Sequence, residues 1–192
     1  LVLSRCTSGG QKFDRSSVRV AQDSIDHYMI QFFLSGTVDM TWRGRATRMG
    51  PGGVLGFDFV ESLDSSNTDF DLLSVIIPRR RLAPLLMRPE AMQGALIDPH
   101  GGAGRLLTGY VATLFQVAPT LDPVEAGPAA RSLIELTALA FNGVVLRDGD
   151  IPDAGLQPVL LRIQAWIRDH LHRHDLSPEM IADRTGVSRA QL

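Results

Sequence analysis

Hydrophobic and polar residues alternate along much of the segment from Val18 to Ile77, which is the pattern of β-strands. Val38, Met40 and Trp42 alternate with polar neighbours, and this period of two predicts a strand with one buried face. The run from His27 to Leu34 is apolar at most positions, so it predicts a strand that is covered on both faces. This part of the chain is therefore predicted to be a β-sheet domain.

Turns rich in glycine separate the predicted strands. Gly50-Pro51-Gly52-Gly53 predicts a tight turn, and residues 64–67 predict a polar loop. Short strands joined by such turns indicate an antiparallel sandwich or barrel. Residues 1–16 are mixed and polar, and they predict either an arm or loosely attached edge, or a frayed terminus. The further predicted strands are 46–49, 54–59 and 71–77.

The hydrophobic period changes to that of helices after Pro78. Three helices are predicted, at 79–87, 106–117 and 129–145. Pro84 kinks the first helix or lies near its start, and Gly127-Pro128 disturbs a capped start of the third helix at Asp122. The two longer helices carry more apolar surface than packing on one face of a sheet requires, and a wholly intramolecular helical layer is one explanation of this surface.

The last 36 residues predict helices around a glycine turn. Residues 157–172 have apolar positions at helical spacing, and Ser177 is placed to cap a following short helix. Gly186 permits a left-handed turn, after which Ser188 is a second capping residue. Residues 189–192 are then the first turn of another helix.

Both ends of the chain resemble one protein family. The stretch QAWIRDHLHRHDLSPEMIADRTGVSRAQL resembles the first helix-turn-helix of AraC-type transcription regulators, with its Leu-Ser-Pro-Glu start, Ile-Ala pair and Gly-Val-Ser turn in register. The stretches QFFLSGTVDMTWRGRATRMGPGGVLGFDFV and DLLSVIIPRRRLAPLL resemble the cupin-like sensor domain of the same family. The alternative for the last residues is an ordinary pair of surface helices joined by a glycine turn.

The resemblance implies a fold and a domain organisation. The fold class is α+β: an antiparallel cupin-like β-barrel or jelly roll, followed by a helical layer and a truncated helix-turn-helix. The expected domains are an effector-binding and dimerisation domain at 1–146, a linker at 147–156 and the first part of a DNA-binding domain at 157–192. Because the chain starts at Leu1 and the last predicted helix stops at Leu192, we expect it to be a fragment.

The resemblance also implies a function and partners. An AraC-type regulator, commonly an activator, senses a small-molecule effector in its barrel, dimerises through helices and binds operator DNA as the full-length protein. RNA polymerase is a further partner that the family implies. The recognition helix would begin near Ser188, and Arg189 would contact a phosphate group or a base. The N-terminal arm of such proteins folds across the sensor domain, which residues 1–16 are placed to do.

Composition changes this picture little. The formal net charge is -2, so no overall basic character points to nucleic acid. From Gln157 onward five arginines face four acidic residues, which gives +1 there and -3 upstream. No apolar run suggests a membrane span, and the single cysteine, Cys6, excludes an internal disulfide. We therefore expect a cytoplasmic protein.

The residues that metal or nucleophilic catalysis needs are sparse. Between Val18 and Ile77 the chain has one histidine, His27, and one glutamate, Glu61, whereas a catalytic metal usually requires three protein ligands. His170, His172 and His174 cluster where a predicted helix ends, a place that favours histidine without a metal. No G-x-S-x-G motif and no phosphate-binding loop is present. We expect no metal, no cofactor and no enzymatic activity.

A ligand pocket inside the barrel remains as the candidate site. The residues proposed to contact the effector are Gln31, Phe33, Met40, Trp42 and Phe57. Trp42 would stack on a ring, and Gln31 would orient it through hydrogen bonds. For each aromatic residue, plain core packing is the alternative role, because small barrels fill themselves with side chains. Met29 and Phe59 are further candidates.

Two other functions stay open at this point. One is a cupin-fold enzyme, with or without a metal, that carries a helical tail. The other is a constitutive dimeric regulator whose barrel is a filled core without a ligand.

Overall fold

The computed structural model of the chain describes residues 1–23, 25–42, 45–147, 163, 166–167, 170 and 177–185. The chain divides into two compact units, Leu1–Asp148 and Gly149–Leu192. All strands of the described residues belong to the first unit.

Nine strands in the described residues form two antiparallel sheets. Sheet A has the order β1-β8-β3-β6-β9, and sheet B has the order β2-β7-β4-β5. The strands are β1 (Val2–Ser8), β2 (Gln11–Arg15), β3 (His27–Ser35), β4 (Val38–Trp42), β5 (Arg45–Met49), β6 (Val54–Asp58), β7 (Leu63–Asn67), β8 (Phe70–Pro78) and β9 (Leu96–Ile97). The predicted antiparallel sandwich or barrel is confirmed, and we call the space between the sheets the barrel.

Sheet A separates two hydrophobic clusters, because successive side chains of a strand point to opposite faces. Ile30 and Phe32 of β3 belong to the cluster that contains the buried residues of the helices. Phe33 belongs to the other cluster, which also holds Met40 of sheet B and Phe57 of sheet A and therefore lies in the barrel. The prediction that β3 is covered on both faces is confirmed.

Four helices accompany the sheets: α1 (Ser17–Asp23), α2 (Arg79–Leu82), α3 (Gly102–Val117) and α4 (Pro123–Arg147). Short 3-10 turns lie at Ala83–Leu85, Pro89–Met92 and Ala118–Thr120. Helix α3 buries Leu107, Val111 and Leu114, which recur at helical spacing and pack into the cluster on the outer face of sheet A. The first helix is shorter than the predicted 79–87: α2 ends at Leu82, a 3-10 turn at Ala83–Leu85 contains Pro84, and residues 86–87 are not helical.

A reciprocal cap begins α4. The carboxylate of Asp122 accepts hydrogen bonds from the backbone N–H of Val124 and of Glu125, both at 2.8 Å, and Glu125 accepts one from the N–H of Asp122 at 3.1 Å. The predicted disturbance at Gly127-Pro128 does not end the helix. Residues 122–128 are exposed, so water can solvate the carbonyl group that the missing N–H of Pro128 leaves unbonded.

Three predictions for the sheets were wrong. Residues 1–16 are not loosely attached, since β1 pairs along its whole length with β8 and β2 pairs with β7. Residues 64–67, predicted as a polar loop, belong to β7 and lie between β2 and β4. The predicted β-texture does not begin at Val18, because Ser17–Asp23 forms α1, a helix without a buried residue.

Helix α4 is the one helix in the described residues that is long and apolar enough to cross a membrane, with a mean hydropathy of 1.4 over its most apolar 18-residue window. This corrects the expectation that no segment would qualify. Its buried residues belong to the cluster on the outer face of sheet A, so part of its apolar surface packs against the domain. They include Leu133, Ile134, Ala138, Ala140 and Phe141.

In the second unit, helix α5 (Pro178–Thr185) begins where the sequence predicts. The hydroxyl of Ser177 accepts a hydrogen bond from the N–H of Met180 at 3.3 Å, which confirms the predicted cap. Ile163, Trp166 and His170 are helical, as predicted for 157–172, and Ile163 is buried. The turn at Gly186 and the residues after it lie outside the described residues.

Candidate ligand-binding site

The five residues proposed to contact an effector share the faces that line the barrel. Phe33, Met40 and Phe57 belong to the buried cluster between the sheets. Gln31 lies two residues before Phe33 on β3, and Trp42 lies two residues after Met40 on β4, so both share their inward faces. The structure therefore brings the five residues to one region.

Side chains form a filled core between the sheets. Phe33 is 1% exposed and Met40 is 2% exposed, which shows that both are core residues whatever else they do. Phe57 is buried as well. The filled core also contains Val38, Met49, Leu55, Phe70 and Leu72.

Three residues on the same inward faces are only partly buried: Met29, Gln31 and Trp42. In the sheet, Met29 and Gln31 lie directly opposite the buried residues Phe57 and Leu55. The indole N–H of Trp42 donates to the carboxylate of Glu61 at 3.3 Å, and the amide nitrogen of Gln31 lies 3.8 Å from the sulfur of Met29, a long and weak contact. We call Met29, Gln31, Trp42 and Glu61 the mouth cluster, because they are partly exposed beside the buried core of the barrel.

Arg15 of β2 lies opposite Leu63 of β7 and ties three segments together. Its guanidinium donates to both carboxylate oxygens of Asp23 at 2.5 and 2.9 Å and to the backbone carbonyl of Phe59 at 2.8 and 3.1 Å. It also lies 5.3 Å from the centre of the Phe59 ring. The hydrogen bond from Arg15 lowers the pKa of Asp23. Arg15 thus joins the end of α1 to the segment that follows β6.

Buried polar groups on β7 add hydrogen-bonding capacity to the wall of the barrel. Ser65 lies opposite Met40, and Asn67 lies opposite Val38, so both share the inward face of sheet B. Asn67 is 8% exposed, and its side-chain oxygen has no hydrogen-bond partner in the part of the chain that the structure describes. A buried acceptor without a donor costs about 1–3 kcal/mol of stability. A ligand that donates a hydrogen bond to this oxygen would therefore gain binding energy.

A charged network backs the mouth on the outer face of sheet A. Arg79, the first residue of α2, donates to the carboxylate of Asp26 at 2.5 Å, to the hydroxyl of Tyr28 at 2.6 Å, and to the buried carboxylate of Asp58. The backbone N–H of Asp58 donates to the side-chain oxygen of Gln93 at 2.6 Å. Because Asp58 directly follows Phe57, the network connects the barrel wall to α2.

The environment of this network shifts two pKa values. Burial, opposed by the charge of Arg79, raises the pKa of Tyr28 to about 12, so the hydroxyl stays protonated at neutral pH. Burial alone would lower the pKa of Arg79, but its hydrogen bond to Asp58 and the charge of Asp58 raise it above the usual value. The guanidinium therefore remains charged and paired within the fold.

Comparisons with known proteins place this geometry in a family. The family model described as the AraC-binding-like domain matches residues 1–141 of the chain. The chain belongs to the AraC-binding-like domain family. The match covers both sheets, α1 to α3 and most of α4, and hence all five proposed ligand-contacting residues.

Two relatives of this AraC-binding-like domain are similar over most of the chain. The transcriptional activator NphR from Rhodococcus sp is 28% identical over 179 residues, which cover 91% of the chain and 52% of NphR. The crystal structure of the AraC-like transcriptional activator CuxR superposes with a TM-score of 0.69 at 21% identity, covering 99% of the chain and 68% of CuxR. The chain thus spans about half the length of NphR, and the likeness to CuxR shows the fold alone.

Several predictions for this AraC-binding-like chain stay predictions. Ser188 and Arg189, proposed to contact DNA, lie outside the described residues. Of the predicted linker at 147–156, Arg147 is the last residue of α4 and the rest lies outside the described residues. No group of three or more histidine, cysteine, aspartate or glutamate residues that could hold a metal occurs among the residues described.

The sequence pattern did not place Arg15, Asn67 or Arg79 at or beside the barrel. Arg15 lay in the supposed arm and Asn67 in the supposed loop, so neither was assigned to the barrel wall. The position of Arg79 could have indicated its ion pairs, because an arginine that directly follows an apolar strand is placed to pair with carboxylates at the strand ends.

Proposed function

We propose that the chain is the sensing part of a transcription regulator, and that a small-molecule effector binds in its barrel. The family membership and the names of NphR and CuxR as transcriptional activators support regulation rather than catalysis. The observation that carries the effector site is a difference in burial along the inward faces. The filled core is packed with buried side chains, whereas the mouth cluster beside it is half-buried.

The effector binds at the mouth cluster and rests on the filled core. Trp42 stacks on it, Gln31 exchanges hydrogen bonds with it, and Phe57 forms part of the floor. Gln31 suits this role because, among the residues that the structure describes, its side chain contacts only a methionine sulfur, which leaves its donor and acceptor capacity largely unused. Phe33 and Met40 support the floor from below and determine its depth.

Effector binding is transmitted from the barrel to the helices through the backbone of β6. An effector that displaces Phe57 also displaces Asp58, whose carboxylate is bound to Arg79 at the start of α2. Helix α2 and α4 are in contact, so the displacement reaches the helical layer. This layer is the proposed dimer interface, through the exposed residues Leu106 and Val117 of α3 and Leu139 and Leu146 of α4.

DNA binding and transcription activation belong to the longer protein. Helix α5 with its Ser177 cap supplies the first helix of the predicted helix-turn-helix, and Ser188 and Arg189 supply the start of the recognition helix. Operator DNA and RNA polymerase are the proposed partners, and the cytoplasm is the proposed location.

Ligand titration tests the effector site. Candidate sugars, aromatic alcohols and small carboxylic acids are titrated while tryptophan fluorescence and the thermal midpoint are recorded. A true effector raises the midpoint, because it binds the folded state only, and it changes Trp42 fluorescence. Gln31→Leu lowers its affinity about tenfold, as expected for the loss of a hydrogen bond. Thr41→Ala, which alters the opposite face of β4, leaves the affinity unchanged.

The same titration separates the proposed sensor from the constitutive regulator. Phe33, Met40 and Phe57 are deeply buried, which is what a permanently filled core requires. If no compound raises the thermal midpoint, or if Gln31→Leu and Trp42→Phe bind as the wild type does, the effector site in the barrel is wrong.

A further inference from the structure

A pocket of about 300 Å³ lies on the helical layer of the first unit, between the α2 turn and the first half of α4. Its lining residues are Arg81, Leu85, Gly127, Arg131, Ile134 and Glu135. Ile134 belongs to the cluster on the outer face of sheet A, and no lining residue belongs to the cluster in the barrel. The pocket is therefore separate from the proposed effector site.

Two exposed guanidinium groups dominate the charge of this pocket. Arg79 is bonded to Asp26, Tyr28 and Asp58, whereas Arg81, two residues later, makes no ion pair or side-chain hydrogen bond with any residue that the structure describes. Arg131 likewise has no such partner among the described residues. Glu135 is one turn after Arg131 on α4, and it forms no ion pair with either arginine. The lining thus carries an excess of one positive charge.

The remaining lining residues form an apolar base with open space above it. Ile134 is 4% exposed, and Leu85 packs partly buried against the same cluster. Gly127 lies one turn before Arg131 on α4, and a Cβ built on it would meet no atom within 4 Å. The glycine therefore leaves the wall beside Arg131 free for a ligand.

We propose that this pocket binds a small organic anion. The two guanidinium groups hold its oxyanion head, a phosphate or a carboxylate, since arginine matches both geometries with paired hydrogen bonds. The apolar body of the ligand packs on Leu85 and Ile134. The volume is at the lower end of the range for ligand pockets, so the body is about the size of one ring.

Calorimetric titration of the chain with phenyl phosphate, benzoate and benzyl alcohol tests the proposal. Phenyl phosphate or benzoate binds, and their relative affinities show which oxyanion the pocket prefers. Benzyl alcohol, which has the ring without the charge, does not bind. Inorganic phosphate binds more weakly than phenyl phosphate, because it lacks the apolar body. Affinity falls as salt is raised from low ionic strength, because salt screens the exposed arginines.

Variants assign the binding to the pocket. Arg81→Gln and Arg131→Gln each reduce the affinity at least tenfold, and Glu135→Gln increases it several-fold because a like charge is removed. Arg105→Gln, an exposed arginine on α3 outside the lining, binds as the wild type does. Far-UV circular dichroism verifies that the variants are folded.

Three results would overturn the proposal. The first is that neither phenyl phosphate nor benzoate binds the wild type. The second is that Arg81→Gln and Arg131→Gln bind the anion with unchanged affinity, which would show adventitious binding elsewhere. The third is that Glu135→Gln weakens the binding, since this variant is expected to gain affinity and its effect does not depend on the arginine variants.

Discussion

Gly56 of β6 lies directly against Phe141 of α4. A Cβ atom built on Gly56 would be 2.6 Å from Cε1 of the Phe141 ring and 2.7 Å from the backbone carbonyl oxygen of Met92. Gly56 is the one glycine within the described strands, and it lies where α4 packs on sheet A. The absence of a side chain on Gly56 allows the approach.

Gly56→Ala is therefore expected to destabilise the fold. Overpacking of a close contact typically costs about 1–3 kcal/mol, and urea unfolding measures it. Phe141→Leu in the same chain restores part of the loss, because the ring is one of the two obstacles and the Met92 carbonyl is the other. An unchanged unfolding free energy for Gly56→Ala would show that α4 is not packed against β6 in this way.

Tyr28 makes the unfolding free energy depend on pH in the alkaline range. Its pKa is raised from the usual 10 to about 12 in the folded state, so the folded chain holds a proton that the unfolded chain loses. The stabilisation is fully present below pH 10 and is lost as the pH rises towards 12. We expect unfolding free energy to fall over this window in the wild type.

Tyr28→Phe removes that dependence along with the hydrogen bond from Arg79. At neutral pH the variant loses about 1–3 kcal/mol, the range for a buried hydrogen bond to a charged group. Absorbance of tyrosinate as a function of pH identifies the late titration, which should vanish in the variant. Tyr110→Phe, which leaves the Arg79 network intact, should keep the loss of stability above pH 10.

The sequence predicted the elements whose buried apolar side chains recur at regular spacing. The strand from His27 and the helix that buries Leu107 were evident because buried side chains recur with the period of the element. Strand β7 was missed because its inward residues include Ser65 and Asn67, so a buried face contains polar groups that look like a loop. The predicted start of α4, at residue 129, was too late because Gly127-Pro128 disfavours a helix interior. The cap at Asp122 compensates for this pair in the structure.

The sequence predicted which strand faces carry the candidate site, but not how the side chains on those faces are arranged in space. Alternation placed Gln31 and Trp42 on inward faces, and both lie there. The difference in burial between the filled core and the mouth cluster was not predictable, because it depends on how the strands of two sheets approach each other. The pairing of Arg15 with Asp23 and Phe59 depends on the same long-range approach.

Asp23 should make the attachment of α1 sensitive to acid. Arg15 lowers the pKa of this carboxyl, so the contact stabilises the folded state above the ordinary pKa and is lost as the pH falls through the lowered folded value. Asp23→Asn is expected to weaken the attachment at neutral pH and to flatten that part of the acid dependence. Hydrogen exchange of the amides in Ser17–Asp23, measured at neutral and acidic pH, reports it. Equal protection of wild type and variant would show that Arg15 does not hold α1.

The exposed apolar residues of α4 lead to the last prediction. Leu139 is 52% exposed and Leu146 is 50% exposed, and their spacing of seven places them on one side of the helix. Large apolar side chains that share an exposed helix face are typical of a surface that another protein covers. If this face is the dimer interface, a charge there must be buried without a partner when two copies associate.

The double variant Leu139→Arg, Leu146→Arg is therefore expected to be monomeric in sedimentation velocity at concentrations where the wild type is a dimer. Because both positions are exposed in the single chain, the variant should unfold within about 0.5 kcal/mol of the wild type when both are compared as monomers. Val18→Arg is the matched control: Val18 is 64% exposed on α1, away from α3 and α4, and its variant should remain a dimer. A dimer that survives both leucine substitutions would exclude α4 from the interface, and a monomeric wild type would exclude dimerisation by this unit.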